Sequence, residues 1–270
     1  MTRITDTFQH LKSPAFIAFL VAGDPDLETS IQLAKHVIRA GVDILEIGMP
    51  FSDPVADGPT IQKANERALK SGMTPDILFD IVHELRKDTD IPIVLLTYYN
   101  IVFKRGIEKF YRHARDAGID GILIVDMPYE ESKDVVEIAR TVGLNQIFLV
   151  SITTSTKRLK KIVSLASGFL YLISTTGVTG VRQELEHSVF ELIHSVRKQS
   201  NLPLSIGFGI SKPEHIKPLI SEGANGVIVG SAIVHLIEQH LDNKKIMIDE
   251  VSRYISTMKK ATGLLKDIKG

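Results

Sequence analysis

Short, continuously apolar runs alternate along the chain with longer segments in which apolar positions recur every three or four residues. The apolar runs are Ala15–Val21, Asp43–Gly48, Pro92–Thr97, Gly121–Val125, Gln146–Val150, Phe169–Ile173, Leu204–Phe208 and Gly226–Val229. None alternates with polar residues, which is the pattern of strands buried on both faces in a parallel sheet. The segments between them predict helices over 26–40, 59–70, 75–87, 106–117, 129–142, 155–166, 183–199, 213–222 and 231–239. In the third, Ile77, Leu78, Ile81, Val82 and Leu85 keep a helical spacing.

Four strands are entered through similar phrases: Ala40-Gly41-Val42-Asp43, Ala117-Gly118-Ile119-Asp120, Val142-Gly143-Leu144-Asn145 and Glu222-Gly223-Ala224-Asn225. A glycine just past a helix end supplies the left-handed residue that closes the helix and turns the chain back to the sheet. Eight such βα units with no break in composition predict an α/β fold, a single (β/α)8 TIM barrel over residues 1–270. One extra helix is expected before the first strand (4–11) and another after the last (246–265). A doubly wound open sheet is the alternative that the same alternation permits.

Composition narrows the partners. The chain has 32 basic and 32 acidic residues among 270, with no basic cluster, which argues against nucleic acid or a membrane surface. It has no cysteine, so thiolate nucleophiles, disulfides and cysteine metal sites are all excluded. Residues 1–12 lack a signal-peptide core, and no apolar run approaches the ~20 residues that span a bilayer. A cytoplasmic location is expected.

In a barrel of this kind the chemistry lies where the strands end and the βα loops begin. At the second strand, Ile44, Leu45 and Ile47 enclose one carboxylate, Glu46. The loop that follows carries Asp53 and Asp57. An acid taken out of water has a raised pKa, as general acid–base chemistry near neutral pH requires. The alternatives are a Glu46 paired with Arg or Lys at a strand end and an Asp57 that merely forms a turn.

After strands seven and eight come Gly207-Phe208-Gly209-Ile210-Ser211 and Gly230-Ser231-Ala232. Glycines admit a ligand close to the backbone and a helix N-terminus adds free N–H groups, so the two loops together suggest a phosphate cradle. The run Thr175-Thr176-Gly177-Val178-Thr179-Gly180 after strand six has the composition of a mobile lid. No lysine lies in or just after a strand, which leaves a Schiff-base aldolase without its nucleophile. The nine histidines fall outside the strands, so a metal site at the barrel mouth would lack imidazole ligands and none is expected.

The stretch Leu45-Glu46-Ile47-Gly48-Met49-Pro50-Phe51-Ser52-Asp53-Pro54-Val55-Ala56-Asp57-Gly58-Pro59-Thr60-Ile61-Gln62 closely resembles a signature of the tryptophan synthase alpha subunit family. Further matches in the same order are Gly23-Asp24-Pro25, Tyr98-Tyr99-Asn100, Asp126-Met127-Pro128, Gly177-Val178-Thr179-Gly180 and Gly207-Phe208-Gly209-Ile210-Ser211. The resemblance implies retro-aldol cleavage of indole-3-glycerol phosphate to indole and glyceraldehyde 3-phosphate. It assigns acid–base work to Glu46, the indole N–H to Asp57, and a place near the reacting carbon to Tyr171. Thr179 would bond Asp57 when the lid closes, and Gly180, Gly207, Gly209, Gly230 and Ser231 would hold the phosphate. Phe19, Leu96, Leu123 and Leu149 would line the indole slot, with Phe208 beside the phosphate loop.

The resemblance further implies an α2β2 heterotetramer with a pyridoxal-phosphate-containing beta subunit that receives the indole, and no cofactor in this chain. The contact face would include Pro50, Asp53, Asn100 and Phe103. The chain departs from the family at Thr175, where many relatives carry arginine, and at Ser151-Ile152-Thr153-Thr154, which lacks a frequent proline. Other phosphate-binding barrels, and a subunit that binds substrate without catalysis, are the competing readings of the same residues.

Overall fold

A computed structural model of the chain describes residues 2–173, 182–207 and 209–263, with 182–186 as backbone alone. It begins with α1 (Arg3–His10), β1 (Ala15–Val21), α2 (Leu27–Arg39), β2 (Ile44–Gly48), α3 (Pro59–Lys70) and α4 (Pro75–Arg86). Next come β3 (Ile93–Thr97), α5 (Tyr99–Arg105), α6 (Ile107–Ala117), β4 (Gly121–Ile124), α7 (Lys133–Val142), β5 (Asn145–Ser151) and α8 (Thr156–Leu165). The last part is β6 (Leu170–Ile173), α9 (Arg182–Arg197), β7 (Leu204–Ile206), α10 (Ile216–Ser221), β8 (Gly226–Val229), α11 (Ser231–Gln239) and α12 (Lys244–Gly263). The eight strands pair in parallel in chain order and β8 closes on β1. The sheet is therefore a barrel and not the open alternative.

All eight expected strands are present, with ends shifted by a residue or two. Helix α5 was not expected from the pattern. Its seven residues are too few to show periodicity, and Gly106 ends it at a φ of +82°. The segments expected as helices over 129–142 and 213–222 each open with a 3-10 turn, Tyr129–Glu131 and Pro213–His215, before α7 and α10.

Alternate strand positions face opposite layers. Ala15, Ile17, Ile44, Val94, Leu123, Ile147, Phe169 and Ile228 fill the barrel interior, while their sequence neighbours pack under the helices. The amino-terminal end of this interior is stoppered by α1. Ile4 is fully buried in the interior cluster, and the Phe8 ring lies 5.8 Å from that of Phe169.

The repeated strand-entry phrases have a common structural purpose at that same end. Their glycines, Gly41, Gly118, Gly143 and Gly223, all have positive φ, between +77° and +103°. Three of the polar residues that follow make a two-point clasp on the preceding strand. Asp43 donates its N–H to Phe16 O and accepts from Phe16 N at 2.7 Å. Asp120 does the same with Ile93, and Asn225 with Leu204. Asn145 cannot repeat it. Its strand neighbour is Asp120, whose own N–H is already committed to Ile93 O, and the buried Asn145 Oδ1 has no partner among the described residues.

A cation completes each clasp. Lys259 of α12 reaches Asp43 at 2.5 Å, Arg197 meets Asn225, and Arg86 meets Asp120 at 2.5 Å. Arg86 also donates to the carbonyls of Gly118 and Ile91, so one guanidinium binds together two turns of the bottom face. The side chains of Asp120 and Arg86 are 4% and 11% exposed. Removing one partner of so buried a pair strands the other. Asp120→Ala is expected to lower the unfolding free energy by about 3 kcal/mol. A loss below about 1 kcal/mol in urea titrations would show that the clasp is dispensable.

Candidate active site

At the carboxyl end of the strands a cleft of about 400 Å³ opens between the ends of β1, β3 and β6 and the loops after β2, β7 and β8. Phe19, Leu96, Tyr171 and Ile228 form its apolar wall. Asp57, Thr60 and Ile61 border it on one side, and Gly207, Gly209, Ser211, Gly230, Ser231 and His235 on the other.

Glu46 sits in β2 in register with Phe19 of β1 and Val94 of β3. Its side chain points into the barrel because its neighbours Leu45 and Ile47 point out, under the helices. The residue is 1% exposed, and neither carboxylate oxygen has a hydrogen-bond partner among the described residues. Burial drives its pKa up from 4.5 to about 8; the nearby Tyr171 hydroxyl draws it back somewhat, and the charge of Asp57 adds to the rise. Among the described residues no Arg or Lys makes the strand-end ion pair that the sequence left open. Glu46 is a neutral acid at pH 7, kept so by being shut away from water.

Tyr171 enters the interior from β6. Burial, followed by the charges of Glu46 and Asp57, holds its hydroxyl well above the usual tyrosine range, so it remains an O–H donor. Its ring lies against Gly207, where a Cβ would come within 2.3 Å of the aromatic carbons. Glycine at 207 therefore makes room for the tyrosine as well as for a ligand. Gly230 likewise faces Phe19, with 3.1 Å left for a Cβ.

Asp57 is partly buried in the loop between β2 and α3. Its Oδ2 accepts from the Tyr98 hydroxyl and from Asn65 Nδ2, each at 3.1 Å. Burial raises its pKa, and these two donors oppose the rise. The loop is held from below as well. Arg67 of α3 grips Asp24 through Nε at 2.6 Å and Nη2 at 3.0 Å, fixing α3 to the loop after β1.

The glycine loops meet the start of α11, with Gly230 before its first residue and no side chain capping it. The first intrahelical donors to Gly230 O come from Ile233 and Val234, which leaves the N–H groups of Ser231 and Ala232 open toward the cleft. A helix N-terminus presented in this way attracts an anion.

The structure brings Asp57, Phe19, Leu96, Tyr171, Gly207, Gly209, Gly230 and Ser231 to one cleft, with Glu46 closed off in the adjoining interior. Leu123 is buried deeper in the barrel, and Leu149 borders a separate hollow beside Asp126 and Tyr129. Thr179, Gly180, Phe208 and Thr175 lie outside the described residues. In the segment lacking the proline, Ser151 N bonds Thr154 Oγ1 at 3.0 Å and Thr154 N bonds Ser151 O at 2.9 Å, a turn that needs no proline. On the rim, Asp53, Asn100 and Phe103 are exposed, whereas Pro50 is buried.

Sequence reasoning missed Tyr98, Asn65 and His235 as site residues, whereas Ser211, part of the expected phosphate loop, does border the cleft. A signal existed for Asn65: it interrupts the inward stripe Ile61, Ala64, Asn65, Ala68 of α3 with an amide. Among the described residues no cluster of three or more His, Asp or Glu is arranged to hold a metal.

A closed barrel with a proton-bearing acid in its interior and an anion-attracting helix start across the cleft belongs to the (β/α)8 enzymes that work on small molecules by acid–base chemistry. The sequence model of the family described as "Tryptophan synthase alpha chain" matches residues 6–263. The tryptophan synthase alpha chain of Methanoregula boonei is 54% identical over 261 residues, covering 97% of this chain and 98% of that one. The crystal structure of tryptophan synthase subunit alpha from Legionella pneumophila superposes with a TM-score of 0.90 at 36% identity, covering 98% of this chain and all of that one. A Pyrococcus furiosus structure described as the tryptophan synthase a2b2 complex gives a TM-score of 0.86 at 38% identity, over 92% of this chain and 99% of that one. The chain belongs to the tryptophan synthase alpha chain family and is a carbon–carbon lyase.

The pKa of Glu46 has a consequence for stability. Below pH 4.5 the carboxyl is protonated in both the folded and unfolded chain. Above it the unfolded chain ionises while the folded one keeps its proton until about pH 8, so stability falls across that window. Gln is neutral at every pH. The Glu46→Gln protein should gain on the wild type as pH rises from 4.5 to 8, by on the order of 3 kcal/mol at pH 7. Parallel stability–pH curves for the two proteins would show that Glu46 titrates normally.

Proposed function

We propose that the chain, acting as one domain over residues 1–270, cleaves indole-3-glycerol phosphate with Glu46 as its acid and base. The observation that carries this reading is the buried, unpaired Glu46 carboxyl, protonated at neutral pH beside the cleft. The proton goes from Glu46 to indole C3, which turns the ring into an iminium-like electron sink. The Glu46 carboxylate so formed takes the proton from the hydroxyl of the adjoining glycerol carbon. That carbon becomes the aldehyde of glyceraldehyde 3-phosphate as the bond to C3 breaks, and the bonding pair restores the indole. One proton leaves Glu46 and one returns, so the enzyme ends the cycle as it began.

Asp57 accepts the indole N–H and stabilises the positive charge that develops there, electrostatic help placed where charge appears in the transition state. Phe19, Leu96 and Leu149 line the ring, with Leu123 deeper in the barrel. Tyr171 stays near the reacting carbon, and Gly207, Gly209, Gly230 and Ser231 with the α11 N-terminus take the phosphate. Gly180 and Phe208 join that cradle, and Thr179 bonds Asp57 on lid closure.

The indole passes to a tryptophan synthase beta subunit in an α2β2 assembly, with pyridoxal phosphate belonging to that partner and a cytoplasmic setting for both. Exposed apolar side chains at the site end support such a face: Val55 is 84% and Phe103 is 64% exposed. They stand with the exposed Asp53 and Asn100, and Pro50 at the start of the same loop as Val55 is buried.

Indole release from indole-3-glycerol phosphate tests the assignment. Glu46→Gln and Asp57→Asn should each lower turnover by at least ~10²-fold. Near-normal turnover in Glu46→Gln would sink the mechanism, and binding without cleavage by the wild type would favour a silent subunit. Because the protonated acid starts the reaction, kcat/KM of the wild type should fall as pH rises through about 8, the pKa of the free-enzyme Glu46. With the beta subunit, sizing chromatography at micromolar concentrations should give one complex; two separate peaks would reject a tight partnership.

A further inference from the structure

Among the described residues, Asp57 uses only half of its carboxylate. Both hydrogen bonds it receives, from Tyr98 and from Asn65, go to Oδ2. Oδ1 receives none among the described residues, and Asp57 borders the cleft. The two donors come from different parts of the chain. Tyr98 follows β3 and is 1% exposed, and Asn65 lies on the inward stripe of α3 and is 4% exposed.

Tyr98 is itself constrained. Its ring stacks on Phe51 at 4.8 Å and 27°, so the phenol cannot swing away without leaving that contact. Its hydroxyl oxygen accepts from Ala56 N at 3.2 Å, which directs the hydroxyl hydrogen toward Asp57. Burial, and after it the charge of Asp57, keeps the phenol protonated. Ala56 and Asp57 are consecutive, so one hydroxyl grips the backbone of the loop and the side chain it carries.

We propose that Tyr98 and Asn65 are positioning residues for the lyase reaction, holding Asp57 by one oxygen so that the other is presented, ionised and fixed, to the indole N–H. This rests on the reading of Asp57 given above. Two donors to the charged form favour ionisation, which the partial burial of Asp57 opposes. The other groups facing Asp57 are the Tyr171 hydroxyl from β6 and His235 of α11 across the cleft, and Asp126 acts on Tyr98 from the loop after β4. None of these donates a hydrogen bond to Asp57, so losing Tyr98 or Asn65 leaves the carboxylate with fewer donors and a free rotation.

The test is a titration of the Asp57 carboxyl by carbon NMR in the unliganded full chain, together with kcat and KM against pH for wild type, Tyr98→Phe, Asn65→Ala and Asp57→Asn. Tyr98→Phe keeps the ring that stacks on Phe51 and removes only the hydroxyl. Each of the first two variants is expected to raise the Asp57 pKa, by about one unit, and to carry the acid limb of kcat/KM upward with it. Turnover should drop by about tenfold or more, with a smaller change in KM. A purely structural role would lower activity without moving either titration. An unmoved Asp57 titration in Tyr98→Phe and in Asn65→Ala overturns the inference while the reading of Asp57 stands. Wild-type kcat/KM in Asp57→Asn overturns that reading and the inference together, whatever the NMR titration shows.

Discussion

Keeping one carboxyl out of water without a partner is the constraint on which the mouth of this barrel depends. Glu46 gains nothing from its position in terms of stability, since an ionised acid there would be costly and a protonated one still has unsatisfied oxygens. What makes the position tolerable is that all the apolar neighbours are supplied by strands in fixed register, with Phe19 and Val94 flanking it. What makes it useful is the same fact: a neutral acid in a dry interior, next to a cleft that admits an anion, donates a proton at pH 7 where a surface glutamate has none to give.

The second carboxylate has hydrogen-bond donors of its own. Asp57 is only partly buried and receives a hydroxyl and an amide, both of which favour its charge. Burial raises the pKa of both acids, but at Asp57 a hydroxyl and an amide oppose the rise, while Glu46 is carried up to about 8. The charge of Asp57 also raises the cost of charging Glu46, which helps the pair to act as anion and as acid.

The two ends of the barrel divide the work. At the amino-terminal end three polar side chains are saturated: Asp43, Asp120 and Asn225 clasp the neighbouring strand and each meets a cation, while α1 closes the interior. At the carboxyl end polar groups are left open, at Glu46, at Asp57 Oδ1 and at the N-terminus of α11. The broken clasp at Asn145 shows that the division is topological. Asn145 would need the backbone N–H of Asp120, and Asp120 has already given it to Ile93 O in its own clasp.

Much of this was legible in the chain itself. Continuous apolar runs and helix-closing glycines identified eight strands, because burial on both faces and a positive φ each leave a residue-type signature that needs no partner to be recognised. Glu46 stood out for the same reason, as a charge in an apolar run. Tyr98 and Asn65 did not stand out, although Asn65 broke an apolar stripe, because nothing local says that a tyrosine after the third strand and an amide on α3 converge on one oxygen of Asp57. The seven-residue α5 was hidden because it is too short to show a period. Sequence alone determined the elements, their order and the identity of the unusual carboxylate, which follow from hydrophobic period and backbone chemistry. Closure of β8 onto β1, the missing partner of Glu46 and the hold on Asp57 were decided only by the tertiary structure, because each is a relation between residues far apart in the chain.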